Sequence, residues 1–110
     1  MPVTIKILLD QYTEILRKIY GSHLKTVILY GSYARGDYRA DSDIDIMILL
    51  DIDIKQYRHE LSGETFDFNM DHDLDIKPIA KSQQHFQNWV DVYPFYANVK
   101  KEGVKLFDAA

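Results

Sequence analysis

GSYARGDYRADSDIDIMILL, residues 31–50, opens on a glycine turn and closes on an unbroken apolar run. Residues 44–50, apolar but for Asp45, are short enough to read as a strand. Asp43 and Asp45 stand at its entrance. Residues two apart on a strand share a face, which projects both carboxylates to one side with Cα atoms roughly 6.5 Å apart. Just upstream, LKTVILY at residues 24–30 is rich in β-branched and aromatic types and runs straight into Gly31 and Ser32. That pattern predicts a second buried strand ending in a tight turn. Two apolar strands joined by a loop of Gly, Arg and Asp therefore form the centre of a sheet.

The flanking sequence supplies helices. Ile5, Leu8, Leu9, Tyr12, Ile15, Leu16 and Ile19 recur at three- and four-residue spacings and Gly21 follows, which predicts an amphipathic helix over 5–20 closed by a C-terminal glycine. Ile54, Tyr57, Leu61 and Phe68 predict a helix over 53–70, with Gly63 as the point where it would break. LDIKPI at 74–79 reads as a third strand, and Pro78 within it predicts an edge position or a strand end. Ser82 is placed to cap a helix carrying Phe86, Trp89, Val90 and Tyr93 on one face, with Phe86 and Trp89 expected in the core. Pro94 kinks or restarts that helix and Gly103 ends it. The expected order is α, β, β, α, β, α. This is an α+β chain: a small mixed β-sheet with helices packed mainly on one face.

Composition narrows the classes of function. The chain has 110 residues and shows no linker, repeat or low-complexity run, so residues 1–110 are expected to form a single domain. Lys and Arg total 13 against 17 Asp and Glu, a net charge of −4 that disfavours direct nucleic-acid binding. There is no cysteine, which excludes disulfides and Cys-ligated zinc and suits a reducing cytoplasm. The first residues carry Lys and Asp inside their apolar stretch, so neither a signal peptide nor a membrane span is expected.

The same 31–50 stretch carries the chemistry. Asp43 and Asp45 on one face can share a hard cation, and magnesium is usually held by one or two carboxylates plus substrate phosphates. Gly31 lets a backbone approach phosphate closely, the Ser32 hydroxyl can donate to it, and Arg35 and Arg39 can meet its oxygens with planar donors. Each element alone has a bland explanation as a turn or a surface ion pair; their joint placement at strand ends favours a site. Two cations a few ångströms apart need a third carboxylate. The run DHDLD at 71–75 offers Asp71, Asp73 and Asp75, alternating onto one face if the strand extends there. Asp75, between Leu74 and Ile76, is the candidate, with Asp73 next. No histidine has a convergent partner; His72 between Asp71 and Asp73 fits a solvated turn.

Tyr30, then Gly31 and Ser32, ten intervening residues containing Ala34, Arg35, Gly36 and Ser42, then Asp43, Ile44 and Asp45 resemble the signature of the DNA polymerase beta-like nucleotidyltransferase superfamily. With the short chain, the sequence is most similar to the minimal nucleotidyltransferases (MNT), the antitoxins of HEPN/MNT toxin–antitoxin systems. The resemblance implies a polymerase beta palm-like nucleotidyltransferase fold. It also implies nucleotide phosphate at Gly31 and Ser32, magnesium (two ions) at Asp43, Asp45 and Asp75, and ATP as substrate. The implied activity is transfer of AMP to a tyrosine hydroxyl of a HEPN ribonuclease toxin. An alternative is an antitoxin that neutralises its partner by binding and occlusion, using surplus aromatics such as Tyr93, Phe95 and Tyr96. Transfer to a small molecule such as an aminoglycoside is less favoured, since nothing supplies a second substrate-binding domain. A chain this short leaves the site's outer walls to another chain, in a homo- or hetero-oligomer.

Overall fold

The computed structural model describes residues 1–109. Helix α1 (Val3–Tyr20) buries Leu9, Tyr12, Thr13, Leu16 and Tyr20 along one stripe, as the apolar spacing predicts. Gly21 caps it at φ 57°, donating its N–H to the Arg17 carbonyl, and Arg17 and Lys18 complement the carbonyl end of the helix dipole. A single 3₁₀ turn, Gly21–His23, leads into strand β1 (Leu24–Tyr30). After a short helix α2 (Ser32–Arg35), where the sequence suggests only loop, comes strand β2 (Ile44–Leu50).

Helix α3 (Arg58–His72) begins later than the apolar spacing predicts because residues 53–56 close their own turn, with the Gln56 N–H bonded to the Asp53 carbonyl at 2.9 Å. It runs unbroken through Gly63, which has open space around its Cα. The glycine lowers helix propensity there without disrupting any packing. Strand β3 (Ile76–Ser82) starts two residues later than predicted, since Asp73 ends α3 in a left-handed conformation at φ 53°. Asp71, Asp73 and Asp75 therefore do not alternate along a strand. Asn69 fixes the start of β3: its side chain accepts from the Ile76 N–H at 2.9 Å and donates to the Ile76 carbonyl at 3.1 Å.

Ser82 caps helix α4 (Gln83–Trp89) by accepting the His85 N–H at 3.2 Å, and Pro94 opens a separate helix α5 (Pro94–Glu102). The proline thus restarts the helix instead of bending it. One element is absent from the sequence-based order: strand β4 (Val104–Asp108), five residues directly after Gly103. The sheet runs β3-β2-β1-β4, with β1 antiparallel to β2 and β4, and β2 parallel to β3. Pro78, which has no N–H to give, lies in the edge strand as expected.

The larger core fills the face under α1 and α3, where Leu9, Tyr12, Leu16 and Phe68 pack on Val27, Leu29, Ile44, Ile46 and Ile48. Within it the Tyr12 hydroxyl meets Thr65 Oγ1 at 2.7 Å and joins the two helices. A smaller cluster on the opposite face sets Met47, Leu49 and Ile28 against Val90, Tyr96 and Val99 of the α4–α5 region. Most helical mass thus lies on one face, with a thinner cover on the other. Phe86 packs on that smaller cluster, but Trp89 is 40% exposed and is not a core residue. It stacks on Tyr93 at 5.3 Å, so its helical spacing with Val90 reflects a contact at the surface.

Candidate active site

Sheet topology gathers the candidate residues at one corner. The antiparallel register sets Tyr30 at the end of β1 opposite Asp45 near the start of β2, so Gly31 emerges beside Asp45. The parallel register sets Ile44 beside Ile76 and Asp45 beside Lys77. The residues just ahead of those strands, Asp43 and Asp75, consequently meet, and the Ile44 N–H donates to the Asp75 carbonyl at 2.9 Å. Strand alternation puts Asp45 on the same face as Met47 and Leu49, at the margin of the smaller cluster.

Gly31 is buried at φ 77°, ψ −154°, a region essentially reserved for glycine. A Cβ added there would overlap Asp45 Oδ2 and lie 3.3 Å from its Cγ. The absence of a side chain at Gly31 is what lets the Asp45 carboxylate sit against the turn. The Gly31 carbonyl accepts the Ala34 and Arg35 N–H groups at 3.1 and 3.0 Å, and Gly36, left-handed at φ 88°, ends the helical turn. The partly buried Ser32 hydroxyl makes no hydrogen bond among the described residues and is open to a ligand. Arg35 reaches back over the turn, while Arg39 is exposed and contributes its backbone, its N–H donating to Ser42 Oγ at 2.7 Å.

The charges at this corner are strained in a consistent direction. A hydrogen bond with the Asp75 carboxyl, reinforced by desolvation and by the Asp75 charge, holds Asp43 above the usual carboxylate range. Burial, then the Asp43 charge, pushes Asp45 up as well, against the pull of Arg35 and Lys77. Burial followed by the Asp45 charge raises Tyr30. A cation drawn to Asp43 and Asp45 would relieve this unfavourable charge. Among the described residues no three acidic or histidine side chains form a ready-made cage. The donor set, all carboxylate oxygen, nevertheless fits a hard cation whose remaining positions are filled by phosphate and water.

Two residues of this corner carry no motif signal. Lys77 falls beside Asp45 only through the parallel register, with its ammonium 3.8 Å from Asp75. Glu102, at the end of α5, accepts the Gly31 N–H at 3.2 Å and pairs with Arg35 at 3.2 Å. Its 71-residue separation from Gly31 is invisible to local spacing. Asp73 caps α3 and lines, with Tyr33, Ser42, Ile44 and Asp75, a hollow beside Asp43.

Carboxylates on one side of a glycine turn, with an arginine on the other, are an arrangement chemically suited to handling phosphate groups. The family model described as nucleotidyltransferase domain matches residues 9–106. The chain belongs to that family. It is 33% identical over 99 residues to a proposed protein adenylyltransferase of Methanocaldococcus jannaschii, covering 90% of this chain and 94% of the relative. A second proposed protein adenylyltransferase of that organism is 27% identical over 85 residues, covering 76% and 86% of the two chains. Among solved structures, a nucleotidyltransferase proposed in Sulfolobus solfataricus aligns with a TM-score of 0.62 at 20% identity, over 97% of this chain and 83% of that one. A chain of the complex between Shewanella oneidensis MNT antitoxin and its tri-AMPylated HEPN toxin aligns at 0.56 and 21%, over 94% and 72%. A chain of a toxin–antitoxin pair crystallised with AMP-PNP aligns at 0.58 and 24%, over 91% and 73%. The fold is that of the nucleotidyltransferases. No helix among the described residues is long and apolar enough to cross a membrane.

Proposed function

We propose that this protein is a magnesium-dependent adenylyltransferase that moves AMP from ATP to a tyrosine hydroxyl of a HEPN toxin and so acts as the antitoxin, in the cytoplasm. The observation that carries this is the contact of Asp43 with Asp75 ahead of β2 and β3, with Asp45 seated against the Gly31 turn. Likeness over nearly the whole length to a proposed protein adenylyltransferase supports the reaction class. Likeness in fold to an MNT antitoxin bound to an AMPylated HEPN toxin supports the partner.

In this reaction the nucleotide phosphates lie over Gly31 and Ser32, with Arg35 meeting their outer oxygens. Arg39, in the exposed loop, is the second arginine assigned to those phosphates. The acceptor hydroxyl oxygen attacks the α-phosphorus, a new P–O bond forms, and the bond to the departing pyrophosphate breaks. Asp75 takes the hydroxyl proton. Asp43 and Asp45, joined by Asp75, would hold magnesium, which supplies neutralising charge for the phosphates when bound.

The test is incubation of the protein with radiolabelled ATP and magnesium, with and without the HEPN partner. Label is expected on the partner, and Asp43→Asn with Asp45→Asn should remove it. A double variant that still labels the partner refutes the site assignment. A variant that no longer labels yet still neutralises toxicity supports occlusion instead, for which Tyr93 and Phe95 are exposed, whereas Tyr96 is buried in the smaller cluster and is not available.

A further inference from the structure

Glu102 sits where a helix least favours it. It is the last residue of α5, where the unpaired carbonyls repel negative charge, while Lys100 and Lys101 beside it suit that position. Its location is nonetheless built in. The Gly103 N–H donates to the Val99 carbonyl at 2.8 Å, and a Cβ on Gly103 would overlap that carbonyl and Ile28 Cγ2. Val104 then pairs with Leu29. The end of α5 is thereby pressed onto β1 two residues before Gly31.

From there one carboxylate takes the Gly31 N–H and shares Arg35 with Asp37, whose Oδ2 accepts from the Arg35 Nε at 3.3 Å. Glu102 Oε1 accepts both the Gly31 N–H and an Arg35 N–H at 3.2 Å, and Oε2 accepts from Arg35 at 3.4 Å. Glu102 is only 26% exposed against 45% for Arg35, so this pair is more sheltered on the carboxylate side. A buried N–H requires an acceptor. Two oxygens from one anion on a guanidinium and a backbone N–H is also how a phosphate would bind here. The two anions cannot hold the same donors, and their charges repel.

We infer that Glu102 is a resident anion that occupies the phosphate donors of Gly31 and Arg35 in the nucleotide-free protein and must yield them when a nucleoside triphosphate binds. The inference rests on Gly31 and Arg35 being the phosphate site proposed above. Glu102 is in this sense a positioning residue: it keeps the turn formed and Arg35 in place, and sets nucleotide affinity below what the bare donors would give.

The test is calorimetric titration of the parent, Glu102→Gln and Glu102→Ala with the imido analogue of ATP in the presence of magnesium. Glutamine keeps the shape and an acceptor for Gly31 but removes the charge. It is expected to bind the analogue about fivefold more tightly than the parent, the change given by releasing one partly exposed ion pair. KM for ATP should fall in step, and the gap should narrow in 0.5 M salt. A merely structural role predicts the opposite, weaker binding as the turn loosens. Equal or weaker binding by Glu102→Gln, with the parent binding normally, overturns the inference; should Glu102→Ala melt early, the glutamine variant alone decides. A parent that binds no nucleotide overturns the proposed function itself.

Discussion

Gly31→Ala tests how the turn and the carboxylates depend on each other. The added methyl would fall inside contact distance of Asp45 Oδ2 and 3.3 Å from Cγ. Relieving that overlap requires the carboxylate to retreat by about 1 Å, and a displacement of that size at a reacting centre lowers turnover roughly 10²-fold. The backbone adds its own penalty, since φ 77° with ψ −154° is a glycine region costing about 1–3 kcal/mol for other residues. Gly36→Ala is the control. Gly36 also has positive φ, at 88°, but nothing lies within 4 Å of a Cβ there. It should lose about 1 kcal/mol and melt on the order of 5 °C lower, with transfer nearly unchanged. Thermal melts and initial rates of AMP transfer on both variants separate strain from displacement. If Gly31→Ala transfers AMP within about threefold of Gly36→Ala, the seat of Asp45 is not set by the glycine and the geometric account of the turn is wrong.

Asp45→Asn should abolish transfer, by about 10³-fold, yet raise the melting temperature by roughly 2–4 °C at neutral pH. The sign follows from Asp45 being pushed above its ordinary value by burial and by Asp43. The folded state then binds that proton more tightly than the unfolded chain, so its contribution to stability falls as pH rises from the ordinary carboxylate range through the elevated folded value. A lower melting point for the variant would show that the carboxylate is compensated. Asn69→Ala removes both side-chain bonds to Ile76, at 2.9 and 3.1 Å, beside Asp75. It should cost about 1–2 kcal/mol in urea denaturation and lower turnover about tenfold, while Asn69→Asp, which retains the acceptor, should lose less of both.

What local pattern could disclose divides along the topology. Residues 24–50 form two antiparallel neighbours, so the turn at Gly31 and the pair Asp43 and Asp45 are brought together by one short connection and can be read as a unit. Asp75 arrives through a parallel crossover that contains all of α3. Its register depends on where that helix stops, which is settled by Asp73 turning left-handed and by Asn69 gripping Ile76. Neither event has a signal as plain as a glycine. Strand β4 escapes for a different reason: Val104, Leu106 and Phe107 are interrupted by Lys105, and five residues give too short a pattern to separate from a helix end. Trp89 misleads because its spacing fits a core stripe, whereas α4 spans only Gln83–Trp89 and turns its last residue outward onto Tyr93.

The position of Glu102 depends on β4. An edge strand paired to β1 on the side away from β2 requires the chain to return alongside the end of β1, and the residue before the return must lie near Gly31. The same sheet edge that completes the fold therefore delivers the anion that occupies the turn. Carboxylates then surround Gly31 from two directions: Asp45 packs against its Cα from β2, and Glu102 accepts its N–H from α5. Arg35 and Lys77 are the cations whose charge offsets Asp45 at this corner. A corner with so much negative charge and so little to balance it is poorly matched to phosphate on its own. In the nucleotidyl-transfer account, a cation on the aspartates and the departure of Glu102 from Arg35 both act in one direction, converting an acidic corner into one that accepts a triphosphate.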